Sequence, residues 1–233
     1  IYTLSLHDAL PIWFSVLERL LDEGWSMRVL VRDASKLEAS VRQRVEVVEG
    51  DAESDEDLAR AMAGAKVAWF LMHSMGGDGD FAKTERSIAE AFAKAAAGSG
   101  VERIVYLGGL HPGEEDLSEH LASRVAVGEV LMGSGVPTAA IHAGVVMGAG
   151  SASFDMLRTL TERLPAAGGP AWLRNQIQPI DAADVVHYLV AAADLPAEVN
   201  RTFDVGGPDR LSYAEMMQRY ARVRAEPDRK SVV

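Results

Sequence analysis

The 233-residue sequence predicts an α/β fold, a doubly wound parallel sheet with a small C-terminal lobe. Three observations predict it. Strand-length apolar runs, Val67–Met72 (Val-Ala-Trp-Phe-Leu-Met) foremost, lack the alternation of a half-solvated strand, so both of their faces are expected to be covered. Segments of helical periodicity separate these runs, as right-handed crossovers between parallel strands require. Small or charged residues then follow each run: Arg32-Asp33, Asp51-Ala52, His73-Ser74, Gly108-Gly109 and Ala143-Gly144. Ligands of open α/β sheets bind outside the carboxyl ends of the strands, so these are the candidate site positions.

The first helix is expected from Trp13 to Glu23, with Val16, Leu17, Leu20 and Leu21 on one face and Gly24 as its C′ residue. The strand Met27–Val31 ends abruptly at Arg32-Asp33, and a short helix starts at Ser35. Val45–Val48 is the next strand. Ser54-Asp55-Glu56-Asp57 opens a helix to Ala63, with a capping serine and acids at the positive end of the helix dipole. After Val67–Met72, a loop with Gly76, Gly77 and Gly79 precedes a long helix over Phe81–Ala97. Strand Ile104–Leu107, helix Leu117–Met132 and strand Thr138–His142 complete the alternation. Beyond Gly150 the pattern loosens into helix Phe154–Leu164, a short strand in Gln176–Ile180, an apolar helix Ala182–Ala193 and strand Thr202–Val205. Ser212 and Glu215 have capping-box spacing ahead of a last helix, Tyr213–Val223.

Composition narrows the function. Hydrophobic residues at 48% and charged residues at 24% are ordinary for a globular chain, and the length suits one large core. A net charge of −11 lacks the basic footprint needed for general nucleic-acid or anionic-membrane binding. The absence of cysteine excludes disulfides, thiolate-bound zinc and cysteine nucleophiles, and fits a cytoplasmic location. The uncharged stretch Val130–Phe154 is long enough for a membrane span. Gly133, Gly135, Pro137, Gly144, Gly148 and Gly150 divide it, so a buried strand between glycine turns is predicted and no span. No His/Glu pair at metal spacing, no Gly-x-Ser-x-Gly elbow and no phosphate-binding P-loop is present, so no metal site is expected.

Read from residue types alone, Arg32 stands where the adenosine ribose of a dinucleotide would lie, and an arginine there suits a 2′-phosphate. The competing reading is a strand-end arginine paired with Asp33. Asp51 suits an adenine amino group, or equally a helix N-terminus.

From about Ser15 to Tyr220 the chain resembles the short-chain dehydrogenase/reductase superfamily, and within it the atypical, NmrA-like branch of NAD(P)H-binding Rossmann-like proteins. The residues that carry the likeness are Val29-Leu30-Val31-Arg32-Asp33, Val48-Glu49-Gly50-Asp51-Ala52, Leu71-Met72-His73-Ser74-Met75, Arg103 through Gly109, Gly128-Glu129-Val130-Leu131 with Ser134-Gly135-Val136-Pro137, Gln178 through Val185, and Phe203 through Pro208. The resemblance implies a cofactor site made by Arg32, Asp33, Asp51, Ala52, Leu71, Met72, His73, Gly108 and Gly109. Arg32 would face the 2′-phosphate of NADP, with NAD as the alternative. Leu71–His73 would run along the ribose and nicotinamide, and Gly108-Gly109 would floor the substrate pocket.

Two departures qualify this. The family's Gly-x-x-Gly-x-x-Gly turn should fall at His7, Leu10 and Trp13, where a Cβ is costly and Leu or Trp would fill the phosphate space, so dinucleotide binding is expected to be weak. Residues 1–12 and 228–233 resemble translated adaptor sequence and are expected to be a non-native leader and tail around a core at 13–150 and a C-terminal part at 151–227. The second departure is catalytic. The serine slot reads Gly108 or Gly109, and the Tyr-x-x-x-Lys slots, aligned on Glu129, fall near Leu121 and Val125. His111, His120 and Arg124 are the nearest ionisable groups. As a loop residue His111 is expected to be solvated, so no catalytic residue is assigned. Two functions remain: an oxidoreductase acting on a small organic substrate, and a non-catalytic redox sensor that reports dinucleotide state to a protein partner.

Overall fold

Strands with no polar face end up in the middle of a sheet that has no solvated side. A computed structural model of the protein describes residues 2–4, 11–72, 81–111, 113, 117–148, 151–163 and 170–225. In chain order its elements begin with β1 (Tyr2–Leu4), α1 (Pro11–Asp22), β2 (Arg28–Val31), α2 (Ala39–Arg42), β3 (Glu46–Glu49) and α3 (Asp55–Met62). Next come β4 (Val67–Phe70), α4 (Phe81–Gly98), β5 (Arg103–Gly109), α5 (Glu119–Met132), β6 (Thr138–Ala143) and β7 (Val146–Met147). The C-terminal part holds α6 (Ala152–Arg163), β8 (Gln176–Ile177), β9 (Ile180–Asp181), α7 (Ala182–Ala191), β10 (Arg201–Val205), β11 (Leu211–Ser212) and α8 (Tyr213–Ala225).

Among the described residues seven strands form one sheet, in the order β10-β6-β5-β4-β1-β2-β3, and every pairing in it is parallel. The order reverses between β1 and β4, the switch point of a doubly wound fold. Side chains sort with period two. Leu30, Phe70, Ile104, Tyr106 and Ala140 pack with Leu58, Phe92, Val127 and Leu131 of α3, α4 and α5. Val29, Trp69, Val105, Leu107 and Ile141 pack on the other face with Leu17, Leu20, Val185 and Leu189 of α1 and α7. Trp69 is fully buried in the central strand, and its indole N–H donates to the Leu189 carbonyl oxygen at 2.9 Å, which fastens α7 to the sheet.

Local signals are met by specific bonds. Ser54 Oγ accepts from the Asp57 N–H at the start of α3. The Ser212 N–H donates to Glu215 Oε2 at 2.7 Å while the Glu215 N–H donates to Ser212 Oγ at 3.2 Å, the reciprocal pair of a capping box. The uncharged stretch beyond Val130 is resolved as β6, whose six residues are all buried. No helix of the described residues is long and apolar enough to cross a membrane.

The structure differs from the sequence expectations at three places. Tyr2–Leu4, expected in a leader, forms β1 and fills the gap between β2 and β4, which would otherwise leave a row of backbone donors and acceptors unpaired inside the sheet. Helix α1 begins at Pro11, a residue suited to the first helical position because its missing N–H is not needed there. The expected strand in Gln176–Ile180 is divided, with Gln176–Ile177 pairing β11 and Ile180–Asp181 pairing β7.

Trp13 is buried in the layer between the sheet and α1/α7, whereas its neighbour Phe14 is 40% exposed. Trp13→Ala is therefore expected to lower unfolding free energy by about 3–5 kcal/mol in urea titrations, and Phe14→Ala by far less. Equal losses would show that Trp13 is not a core residue.

Candidate functional site

The candidate positions lie along the carboxyl rim of the sheet. Strands there are about 4.8 Å apart, so the ends of β3 and β5 are separated by about 19 Å. At one end of this rim Arg32 leaves β2 and its Nε lies 3.4 Å from Asp51 Oδ2, with both side chains nearly half-exposed. Asp33 is not the partner. It accepts from the N–H and the hydroxyl of Ser35 at 2.9 and 2.6 Å and caps the 3-10 turn Ala34–Lys36, and those bonds hold its carboxyl below the ordinary range. The competing reading of Arg32 is thereby corrected: Asp33 is committed to its own turn, so the guanidinium reaches to the next strand.

Asp51 is held in a turn of its own. Its Oδ1 accepts from the Glu53 N–H at 3.0 Å, and its N–H donates to Asp57 Oδ2 at 2.9 Å. Glycine precedes it because a Cβ at Gly50 would stand 2.5 Å from Asp57 Cγ and block that bond. Ala52 is buried beneath the turn. Arg32, Asp33, Asp51 and Ala52 thus meet at one corner.

Toward the switch point Leu71 and Met72 follow β4 and are buried. His73 lies outside the described residues. Gly108 and Gly109 are the last residues of β5 rather than loop residues. Gly108 is in register with His142 of β6, and His142 with Asp204 of β10, so three adjacent strands put one row at the rim. The His142 ring occupies the space above Gly108: a Cβ there would come within 2.8 Å of His142 Cδ2 and 3.1 Å of Tyr106 Cε1.

His142 is buried, and its Nδ1 lies 3.6 Å from Asp204 Oδ1. Burial, reinforced by the charge of His111 and opposed by Asp204, moves its pKa below the ordinary value. His111 is half-buried rather than solvated, because its ring packs 5.3 Å from that of His142 and its Nδ1 is 3.1 Å from the Gly113 carbonyl oxygen. A cleft of about 900 Å³ opens over this row, lined in part by Gly109, His111, His120, Arg124, Gln178 and Arg210.

Other groups nearby are committed. Tyr106 is fully buried and its hydroxyl donates to the Arg124 carbonyl oxygen at 3.0 Å, while burial pushes its pKa above the ordinary range. It cannot serve as the missing catalytic tyrosine. Arg124 Nε–H donates to His120 Nε2 at 3.2 Å, and burial together with that cation lowers the His120 pKa. Leu121 packs against Gly109 and lines the cleft, and Val125 is half-buried, so the Tyr and Lys slots carry hydrocarbon. Sequence reasoning missed His142 and Asp204. The available signal was Gly108, a glycine in a buried strand where a neighbouring ring needs the space.

The Arg32–Asp51 corner presents a cation and a carboxylate near the surface, a pair chemically compatible with the phosphate and amino groups of a dinucleotide. At the pyrophosphate, His7 and Leu10 lie outside the described residues. Trp13 departs from expectation: the core takes up its side chain, not the phosphate space. Among the described residues no group of three or more His, Cys, Asp or Glu side chains is arranged to hold a metal ion.

The sequence matches a protein-family model described as NAD(P)H-binding over residues 15–134. No curated protein is detectably similar in sequence. The fold resembles that of WbmG from Bordetella bronchiseptica in complex with NAD and UDP, with a TM-score of 0.76, 18% identity, and 100% of this chain and 80% of that chain covered. It resembles the dTDP-glucose 4,6-dehydratase DesIV from Streptomyces venezuelae with NAD bound (0.76, 16% identity, 97% and 82% covered). It also resembles UDP-glucose 4-epimerase from Thermus thermophilus in complex with NAD (0.73, 17% identity, 97% and 84% covered). At these identities the likeness is one of fold, a Rossmann-type α/β domain.

The buried His142 has a consequence for stability. Below its unfolded pKa of about 6.5 the unfolded chain takes up a proton that the folded chain resists, so stability falls as pH drops. His142→Gln is expected to flatten the melting-temperature profile between about pH 7 and 5 relative to wild type. Parallel profiles would show that His142 is not held neutral by the fold.

Proposed function

This chain belongs to the NAD(P)H-binding family, and on that premise we propose that it takes NADP(H) in preference to NAD(H) and acts as an oxidoreductase on a small organic substrate. The observation that carries the preference is Arg32 at the end of β2, paired across the rim with Asp51. A pair this exposed is worth about 0–1 kcal/mol, so a 2′-phosphate can take the guanidinium at little cost and offer it charge-assisted, bidentate bonds. Asp51 then remains for the adenine amino group, and Asp33, fixed by Ser35, stands clear of the exchange.

Leu71, Met72 and His73 are assigned to the ribose and nicotinamide, and Gly108 and Gly109 to the floor of the substrate cleft. The missing glycines at positions 7 and 10 set the affinity. Without them the backbone cannot approach the pyrophosphate closely at the start of α1, and the chain as it stands is expected to bind weakly. When bound, the reduced nicotinamide supplies a hydride.

A second reading is a non-catalytic redox sensor that passes the state of the dinucleotide to a protein partner. Leu121 and Val125, hydrocarbons at the Tyr and Lys slots, favour it.

Fluorescence titration of NADPH and NADH into the wild type and His7→Gly/Leu10→Gly chains tests the cofactor assignment. Trp13 is left in place for the sake of the core. The double variant is expected to bind both cofactors more tightly and to prefer NADPH. Arg32→Ala is expected to weaken NADPH by about 10–100-fold, the loss of one or two charge-assisted bonds, with little effect on NADH. A clear preference for NADH removes the role given to Arg32. No binding below millimolar removes the cofactor reading. Turnover across a panel of aldehydes, ketones and quinones then separates enzyme from sensor.

A further inference from the structure

The cleft over the rim is lined by a histidine that the serine, tyrosine and lysine slots do not account for. His111 sits in the loop after β5, its ring 5.3 Å from that of His142 and its Nδ1 3.1 Å from the Gly113 carbonyl oxygen. A carbonyl oxygen only accepts, so Nδ1 carries a proton and Nε2 is the nitrogen that gains or loses one. His142 backs His111 from inside the sheet, and Asp204 stands behind His142 at 3.6 Å. The row is built in: His142 and Asp204 are register partners, and Gly108 and Gly128 leave room for the buried ring, whose Nε2 would lie 3.3 and 3.9 Å from a Cβ added at each.

We propose that His111 is the proton donor and acceptor for substrate in this cleft, and that His142 and Asp204 are its positioning residues. The inference rests on the oxidoreductase reading above. As a carbonyl carbon takes a hydride, the π pair of the C=O bond moves onto oxygen, and the oxygen takes the Nε2 proton of the His111 imidazolium. An alcohol results, His111 is left neutral, and a proton from cleft water restores it. The reverse direction runs the same transfers backwards, with neutral Nε2 as base. His142 stays uncharged beside it, since burial and the His111 charge both resist a second proton there while Asp204 partly offsets them. Among the described residues the other charged or titratable groups facing the row are His120 and Arg124 from α5, Tyr106 from β5, Arg210 from the segment after β10, and the buried Glu85 of α4, whose charge acts on His120 and Tyr106. His120 is committed elsewhere, because its Nε2 already accepts from Arg124.

Two measurements on the full-length chain test this. In imidazole NMR titrations His111 is expected to show the Nδ1–H tautomer. His111→Gln should raise the His142 midpoint by removing a repelling charge, and Asp204→Asn should lower it by removing an attracting one. Unmoved midpoints in both variants overturn the relay whatever the cofactor does. In the His7→Gly/Leu10→Gly background, carbonyl reduction by NADPH is expected to lose about 100-fold in kcat on His111→Gln, the usual size of a general acid contribution. NADPH affinity should be unchanged, and a control at the exposed His187 of α7, His187→Gln, should keep its activity. Unchanged kcat with intact NADPH binding overturns the role of His111 and leaves the oxidoreductase reading standing. Absent binding of both NADPH and NADH overturns the oxidoreductase reading itself, and the proton donor with it, even where the midpoints shift.

Discussion

A parallel sheet covered on both faces gives polar chemistry one place to stand, the rim where its strands end. The central strand shows the constraint at its strictest. All four residues of β4 are buried, and the single polar side-chain atom they contribute, the Trp69 indole nitrogen, is satisfied by the Leu189 carbonyl oxygen. An unsatisfied donor at that depth would cost about 1–3 kcal/mol, so function cannot be placed there cheaply. Arg103, buried at the other end of β5, follows the same rule through its two Nη atoms, while its Nε has no hydrogen-bond partner among the described residues. Its guanidinium donates to the carbonyl oxygens of Leu195, Pro196 and Val199 and so ties the lead-in of β10 to the sheet. That tie helps to set the position from which Asp204 approaches the rim.

The two ends of the rim handle charge in different ways. Arg32 and Asp51 are a nearly half-exposed pair whose mutual attraction is screened and whose separation costs little. Such a pair suits recognition, because an incoming phosphate competes with water rather than with a strong internal bond. His142 is buried, held away from charge by its surroundings, with a carboxylate at a distance that matters only once the ring is protonated. A group of that kind is poorly placed to bind an anion and well placed to tune a neighbouring imidazole. The division between the exposed Arg32–Asp51 corner and the buried His142 row thus follows from solvent exposure as much as from residue type.

Much of this arrangement could be read from residues close together in the chain. Ser212 and Glu215 announced a capping box, Ser54 capped the helix it preceded, and the apolar run at Val67 became a strand buried on both sides. What escaped the sequence depends on residues far apart in it. His142 and Asp204 are separated by 62 positions, and only the register of β6 against β10 brings them together. Arg32 turned to Asp51 instead of Asp33 because a local competitor, Ser35, already held Asp33, a matter of geometry rather than of pattern. Tyr2–Leu4 was the hardest to see. Three residues carry almost no periodic signal, and their strand is specified by the vacancy between β2 and β4 more than by their own propensity.

The departures from the dehydrogenase pattern belong together. Had only the Tyr and Lys slots been lost, the glycine at position 108 would have no explanation. A serine there would place its Cβ 2.8 Å from His142 Cδ2, so the imidazole and the serine exclude each other. Gly128, one turn of α5 beyond Val125, borders the same ring, and with Leu121 and Val125 it leaves α5 with no proton donor at those three positions. The ring that enters from the neighbouring strand therefore takes the space above Gly108, while α5 carries hydrocarbon at Leu121 and Val125. Proton transfer requires a titratable atom within reach of the substrate and a neighbour that fixes its tautomer. His111, which lines the cleft with its Nδ1 on the Gly113 carbonyl oxygen, meets both requirements apart from the serine, tyrosine and lysine slots.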